Sequence, residues 1–289
     1  MTNIIKEMSK TSNFSSLEQE IINYIFIHSD EIAHMTITEL AKNTFASNSS
    51  IIRLCRKLGF KGYKDFRITY IRDLEKNRAD KETIDFNIPF HIFSSPVEIS
   101  YDIGMLMKLT VEMCYDNIDT KKLYKISELI ISGKHRYCYS SGHSLIRMES
   151  FENKLIKLGI YLNNATIRWD PEPYSYYATK DDCAIFLTYF ARNSIYLKNA
   201  KILKARGCKI IVITSNKDAE LSKLADILYL IPDYESDVDN IAEFYSQTAF
   251  EYILNVIYSY IYKIHYENNY TKKHNLERVR LTKIGIKKR

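Results

Sequence analysis

Residues 35–63, MTITELAKNTFASNSSIIRLCRKLGFKGY, constrain the fold more than any other stretch of this chain. Leu40 and Ala41 are the apolar positions of one short helix, with Thr38 as its expected cap. Asn43 to Ala46 is too short for more than a turn. Ser47 is a good N-cap for a second helix, because its hydroxyl can accept from the free amides of the first turn. Ile51, Ile52, Leu54, Cys55 and Leu58 recur at helical spacing and form its apolar face. Asn48, Ser49, Ser50 and Arg53 fall on the other side of its N-terminal half, Arg56, Lys57, Lys61 and Lys64 follow, and Gly59 ends it as a C′ residue does.

Two short helices, a tight turn, and a second helix polar at its start and basic at its end predict a helix-turn-helix reader of double-stranded DNA. In such motifs the N-terminal half of the second helix contacts base edges in the major groove. The cations beyond it hold phosphates, which position a protein without reading sequence. Thr38, Ser47, Asn48, Ser49, Ser50, Arg53, Arg56, Lys57, Lys61 and Lys64 are therefore the candidate DNA-facing set. The alternative is a helical bundle with a solvated basic face, since helix-turn-helix geometry also occurs in folds that never touch DNA.

Upstream, Ser15 or Ser16 caps a further helix whose expected buried face is Leu17, Ile21, Ile22, Tyr24, Ile25 and Phe26, with Glu18 and Glu20 near the positive end of its dipole. Tyr63 to Asn77 continues as a basic helix. Residues 1–78 thus read as a small all-helical domain.

The chain has 289 residues, enough for two domains, and a formal charge of +6. The charge is uneven. Residues 42–78 hold ten Lys and Arg against three acids, residues 268–289 eight against one, and residues 81–267 twenty-one against twenty-four. Basic ends around a mildly acidic middle suit a DNA-facing N-terminus and a middle with another task. The end, 268–289, reads as a solvated basic tail. Cys55, Cys114, Cys138, Cys183 and Cys208 are scattered in apolar runs without a C-x-x-C pair, which fits packing better than metal or redox work. No signal peptide and no membrane-length apolar run is legible, so a cytoplasmic protein is expected, with no cofactor and no membrane partner.

Two prolines and weak periodicity make 79–96 a linker. Helices are expected at Val97 to Tyr115 and Thr120 to Ser132. From His135 apolar strands alternate with helices. The expected strands are Tyr137-Cys138-Tyr139, Ile160-Tyr161-Leu162, 183–188, 210–214 and 227–231; the expected helices run from 144 to Leu158, Ile195 to Arg206, Ala219 to Ala225 and Ile241 to Tyr266. This pattern predicts a parallel sheet covered on both faces. Ligands of such folds bind at the carboxyl ends of the strands. Those ends carry Ser140, Ser141, His143, Ser144, Thr188, Asn193, Ser194, Thr214 and Ser215, clustered hydroxyls and helix N-termini that suit an anion. For any one of these residues ordinary helix capping is the simpler explanation.

The two halves together resemble the RpiR family of bacterial transcriptional regulators. The resemblance rests on ITELAKNTFASNSSIIRLCRKLGFKGYKDFR at 37–67, SSGHS at 140–144, KLIKLG at 154–159, ARGCKIIVITSN at 206–216 and LSKLADILYLIP at 221–232. It implies a helix-turn-helix domain followed by a SIS (sugar isomerase-like) domain over 97–267, with a flavodoxin-like, five-stranded parallel sheet flanked by helices. It further implies a DNA operator, a phosphosugar effector and a homodimer or homotetramer. The loop after the first strand, usually G-x-G-S-S-like, reads Ser140-Ser141-Gly142-His143-Ser144. After the third strand the usual S-x-S-G-x-T cradle reads Thr188-Tyr189-Phe190-Ala191-Arg192-Asn193, so a hydroxyl becomes Phe190, the glycine Ala191 and the last threonine Asn193. Arg192 offers a charged fork in exchange.

Three functions for the second domain follow: a phosphosugar site using Ser140, Ser141, His143, Ser144, Thr188, Arg192, Asn193 and Ser194; a reshaped site for a less anionic ligand; or dimerisation alone. A rival from another class is a sugar-phosphate isomerase with an added helical domain. Its base would come from Glu149, Glu152, His143 or Glu243. The basic helix at 47–64 argues against it, because an isomerase has no need of one.

Overall fold

Two reciprocal capping boxes start the N-terminal helices. Ser15 accepts from the Glu18 N–H while the Glu18 carboxylate accepts from the Ser15 N–H at 2.8 Å. Thr36 and Glu39 repeat the arrangement at 3.3 and 2.7 Å. Each box satisfies two amides that a helix start otherwise leaves free. In the computed structural model, which describes residues 4–8, 13–79, 84–90, 94–166 and 171–283, these boxes open α2 (Ser16–Ile27) and α3 (Ile37–Asn43). Thr38 is therefore not a cap: it lies exposed inside α3, and Thr36 takes the role because Glu39 stands three residues after it. Around them are α1 (Ile4–Met8), a 3-10 turn at Glu31–Ala33, α4 (Asn48–Lys57) and α5 (Tyr63–Ala79). Ile21, Ile25, Ile32, Leu40, Leu54, Phe66 and Tyr70 form their shared core. Leu17, expected inside, is exposed, because α2 turns its 21-22-25-26 stripe inward instead. α1 is tied to α5 by the Ile4 N–H, which donates to Asp73 at 2.9 Å.

The chain divides into two compact units, 1–106 and 107–289, the division falling within α6 (Pro96–Asp116). In the second unit, α7 (Thr120–Ser132), capped by Asp119, leads into β1 (Arg136–Tyr139), α8 (Gly142–Ile156), β2 (Asn163–Asn164), α9 (Glu172–Tyr176), β3 (Cys183–Leu187), α10 (Ser194–Ala205), β4 (Lys209–Thr214), α11 (Glu220–Lys223) and β5 (Ile227–Leu230). The five strands are parallel in the order β2-β1-β3-β4-β5, with Cys138 beside Ile185, Ile185 beside Ile211, and Ile213 beside Tyr229. This is the flavodoxin-like order. The three central strands are almost wholly buried, as both-face coverage requires.

Three expectations for this unit are corrected. The second strand lies at Asn163–Asn164, not at 160–162, and Tyr161 is exposed. The short helix α9 has no counterpart in the expected pattern. The last helix is two: α12 (Phe244–Ile264) stops at His265, and α13 (Tyr266–Lys283) carries most of the stretch read as a tail. Lys287, Lys288 and Arg289 lie outside the described residues. α12 is fixed to α7 by Ser127, whose hydroxyl reaches the Ile257 carbonyl at 3.3 Å, and to α8 by Lys154 and Arg147, which share the Glu251 carboxylate. All five cysteines are buried and unpaired. Among the described residues no helix is long and apolar enough to cross a membrane.

Candidate functional site

The turn between α3 and α4 is built by local hydrogen bonds. The Thr44 hydroxyl donates back to the Leu40 carbonyl at 2.7 Å, and the Ala46 N–H to Ala41 at 2.9 Å. Between them Phe45 takes φ +51°. Ser47 then caps α4, accepting from the Ser50 N–H at 3.1 Å, and its hydroxyl also meets those of Ser49 and Ser50 at 2.7 and 2.9 Å. With Ile51, Leu54 and Cys55 turned inward, Asn48, Ser49, Arg53 and Arg56 stand exposed. Arg53 donates to Ser50 Oγ at 3.2 Å, which lays its guanidinium along the start of the helix. No acidic residue lies in α4. Gly59 at φ +90° ends it, and exposed Lys61 and Lys64 follow, Lys61 donating its own N–H to Asp65.

Lys57 departs from the expected pattern. Its ammonium lies 2.7 Å from Glu18 and above the Phe14 ring, so it braces α4 against the start of α2 instead of standing ready for a phosphate. Burial raises the Glu18 pKa, but the hydrogen bond and charge of Lys57 and the Ser15 amide outweigh it and hold the carboxyl below 4.5.

In the second unit the loops after β1, β3 and β4 end at the same edge of the sheet. Ser140 is buried, with its hydroxyl unpartnered, while Thr166 brackets its backbone. Ser141 stands at the N-cap of α8 without a capping bond, and Gly142 follows at φ +56°. Ser144 is half-buried in the first turn of α8. His143 is exposed and pairs through Nδ1 with Glu243 at 2.5 Å.

After β3 the backbone enters the left-handed region at Ala191, φ +54°, although a methyl group sits where the resemblance expects glycine. This loop is braced from β4: Thr214 and Ser215 donate their hydroxyls to the Tyr189 carbonyl at 2.6 and 3.1 Å, and the Asn216 amide donates to Phe190 at 3.1 Å. The hydroxyls of Thr214 and Ser215, at and just after the end of β4, are thus structural. Asn193 is the N-cap of α10, its side-chain oxygen accepting from the Ile195 and Tyr196 amides at 2.9 and 3.3 Å. Ser194, next to it, is exposed. Arg192 pairs with Asp237 and lies over the Phe190 ring. Thr188 is half-buried, and its N–H donates to Ile213.

Two residues escaped sequence reasoning. The Tyr189 hydroxyl accepts from the Tyr234 and Glu235 amides at 2.9 and 3.0 Å, pinning the loop after β5. Glu235 is buried and accepts from the Ser246 amide and hydroxyl at 2.9 and 3.0 Å. Burial raises its pKa against those bonds. It sits in the acidic run DYESDVD, which reads as a solvated loop, so no sequence signal marks it. Of the carboxylates considered for an isomerase, Glu149 is exposed and Glu152 half-buried on α8.

Comparison with known proteins agrees with both units. The model of the rpiR-family helix-turn-helix domain matches residues 1–77, and the SIS domain model matches residues 174–256. An uncharacterized HTH-type transcriptional regulator of Clostridium perfringens is 26% identical over 209 residues, 72% of this chain and 74% of that protein. One from Providencia stuartii is 24% identical over 211 residues, 73% of each. Among solved structures, NanR of Vibrio vulnificus, complexed with ManNAc-6P, superposes with a TM-score of 0.58 at 19% identity, covering 98% of this chain and 99% of that one. The sugar isomerase domain of an RpiR transcription factor from Sphaerobacter thermophilus gives 0.53 at 12% identity, covering 63% and 99%.

Proposed function

We propose that the chain is a transcriptional regulator of the rpiR type, a helix-turn-helix domain joined to a SIS domain, which binds an operator through α4 and adjusts that binding to a sugar phosphate held by the SIS domain. Asn48, Ser49 and Arg53 read bases, while Arg56, Lys61 and Lys64 hold phosphates. The effector phosphate sits against the amides that open α8, where Ser141 makes no capping bond, with Ser141, Ser144, Thr188 and Ser194 around it. The regulated genes serve carbohydrate metabolism. The protein acts as a homodimer or homotetramer, so that two copies of α4 face half-sites about 34–36 Å apart. The effector acts by favouring one relative placement of those helices.

The observation that carries the ligand half is Ala191 at φ +54°. A strained conformation is kept where surrounding structure imposes it, and here the side chains of Thr214, Ser215 and Asn216 hold the loop after β3 in that conformation, which supports a role for it in ligand binding. Regulation rather than turnover is supported by His143 and Glu243, which are spent on each other, and by the basic, acid-free α4.

A thermal-shift series with the full chain and a panel of sugar phosphates, ManNAc-6P among them, tests the ligand half. A ligand that binds only the folded state raises the melting temperature by mass action. A hit that also changes operator affinity supports the coupling. No shift with any sugar phosphate overturns the phosphate reading.

A further inference from the structure

Phe45 is 97% exposed, more than any other large apolar side chain among the described residues. It also sits at φ +51°, where an L side chain meets a steric penalty and glycine does not. The fold makes no use of the ring, and the turn would form more easily around Gly or Asn. A singly exposed ring is ordinary on a protein surface, but a bulky residue kept at a left-handed position that disfavours it points to a function outside the fold.

Its place identifies that partner. Two residues on, Ser47 caps α4, and exposed Asn48, Ser49 and Arg53 come next. The element beside the ring carries cations and no acid, so the complementary surface is an anion. In a docked helix-turn-helix the first helix crosses the backbone and the start of the second enters the major groove, which leaves the connecting turn at the groove edge. The apolar group that base pairs offer there is the 5-methyl of thymine. We infer that Phe45 is a specificity residue, packing its ring against a thymine methyl of the operator beside the bases met by α4. This rests on the reading of α4 as the DNA-contacting helix.

The test uses the full chain and a duplex that the wild-type protein selects from a randomised pool. Phe45→Gly removes the ring and suits the left-handed backbone, so its melting temperature equals or exceeds that of the wild type. Its affinity for the selected duplex falls roughly tenfold, while its affinity for random duplex is unchanged. Replacing each thymine with deoxyuridine removes one methyl at a time. One such position weakens the wild type and leaves Phe45→Gly unaffected.

Equal affinity of the two proteins for the selected duplex overturns the inference. So does deoxyuridine costing both proteins alike, or an equal loss on random duplex, which would put the ring on the sugar backbone. A change in oligomer size without DNA would assign the ring to a second copy and overturn it too. Failure of the wild type to select any duplex would instead remove the DNA reading itself.

Discussion

Lys57 Nζ lies 2.7 Å from the Glu18 carboxylate, joining the end of α4 to the start of α2. A cation so engaged is not free for phosphate. Removing one phosphate-binding cation reduces the salt slope of DNA binding by about 1. Arg56→Ala and Lys64→Ala are each expected to show that change, and Lys57→Ala to leave the slope as it is. Binding measured across a salt series separates them.

The same pair sets a pH dependence. The Glu18 pKa is lower in the folded protein than its ordinary 4.5, the bonds from Lys57 and Ser15 outweighing burial. Its contribution to stability is therefore complete above 4.5 and is lost as pH falls through the folded value. Wild type is expected to exceed Glu18→Gln in denaturant stability near neutral pH, with the gap closing in acid. A gap that persists in acid would show that the charge is not its source.

Ser47 closes the turn and caps α4 through the Ser50 amide. Ser47→Ala is expected to cost about 1 kcal/mol of stability, measured by urea unfolding.

Arg53→Ala is expected to cost about 1–3 kcal/mol on the operator, with little loss on random DNA. An equal loss on both would make Arg53 a phosphate contact.

Ala191 separates conformation from chemistry in the SIS loop. Ala191→Gly is expected to be tolerated. Ala191→Val places a β-branched residue in the left-handed region, at a cost of about 1–3 kcal/mol. It should abolish the effector response of the otherwise folded protein, as followed by thermal shift. Thr188→Val is expected to weaken that response while leaving ligand-free DNA binding unchanged.

The parallel sheet was legible because Ile210-Ile211-Val212-Ile213 and its partners are long apolar runs separated by helical periods, whereas its flavodoxin-like order was implied only by the family resemblance. α7 was legible to both ends, since its stripe and its polar flanks agree. β2 was not, because an edge strand is defined by main-chain pairing that hydrophobicity does not record: Ile160-Tyr161-Leu162 is the apolar triplet, yet Asn163 and Asn164 pair with β1. α13 was missed because it has no apolar stripe to mark it. The Thr36 cap was visible in principle, since Thr36-x-x-Glu39 forms a box and Thr38-x-x-Ala41 does not. The candidate loops were legible as positions but not as roles. That Thr214 braces Tyr189, or that Asp237 engages Arg192, depends on residues 25 and 45 positions apart in the chain.

The strand order β2-β1-β3-β4-β5 has one point where successive connections leave in opposite directions, between β1 and β3. A crevice at such a point belongs to the topology and survives any change in the loops that line it. The buried Ile and Val of the strands maintain the frame, Tyr189 and Asn193 hold the loops to it, and Ser141, His143, Ser144, Thr188 and Arg192 at the rim are left freer to vary. SSGHS and TYFARN carry one such set. A frame of this kind lets a sensor acquire a new signal by point changes at its rim, with the machinery beneath it undisturbed.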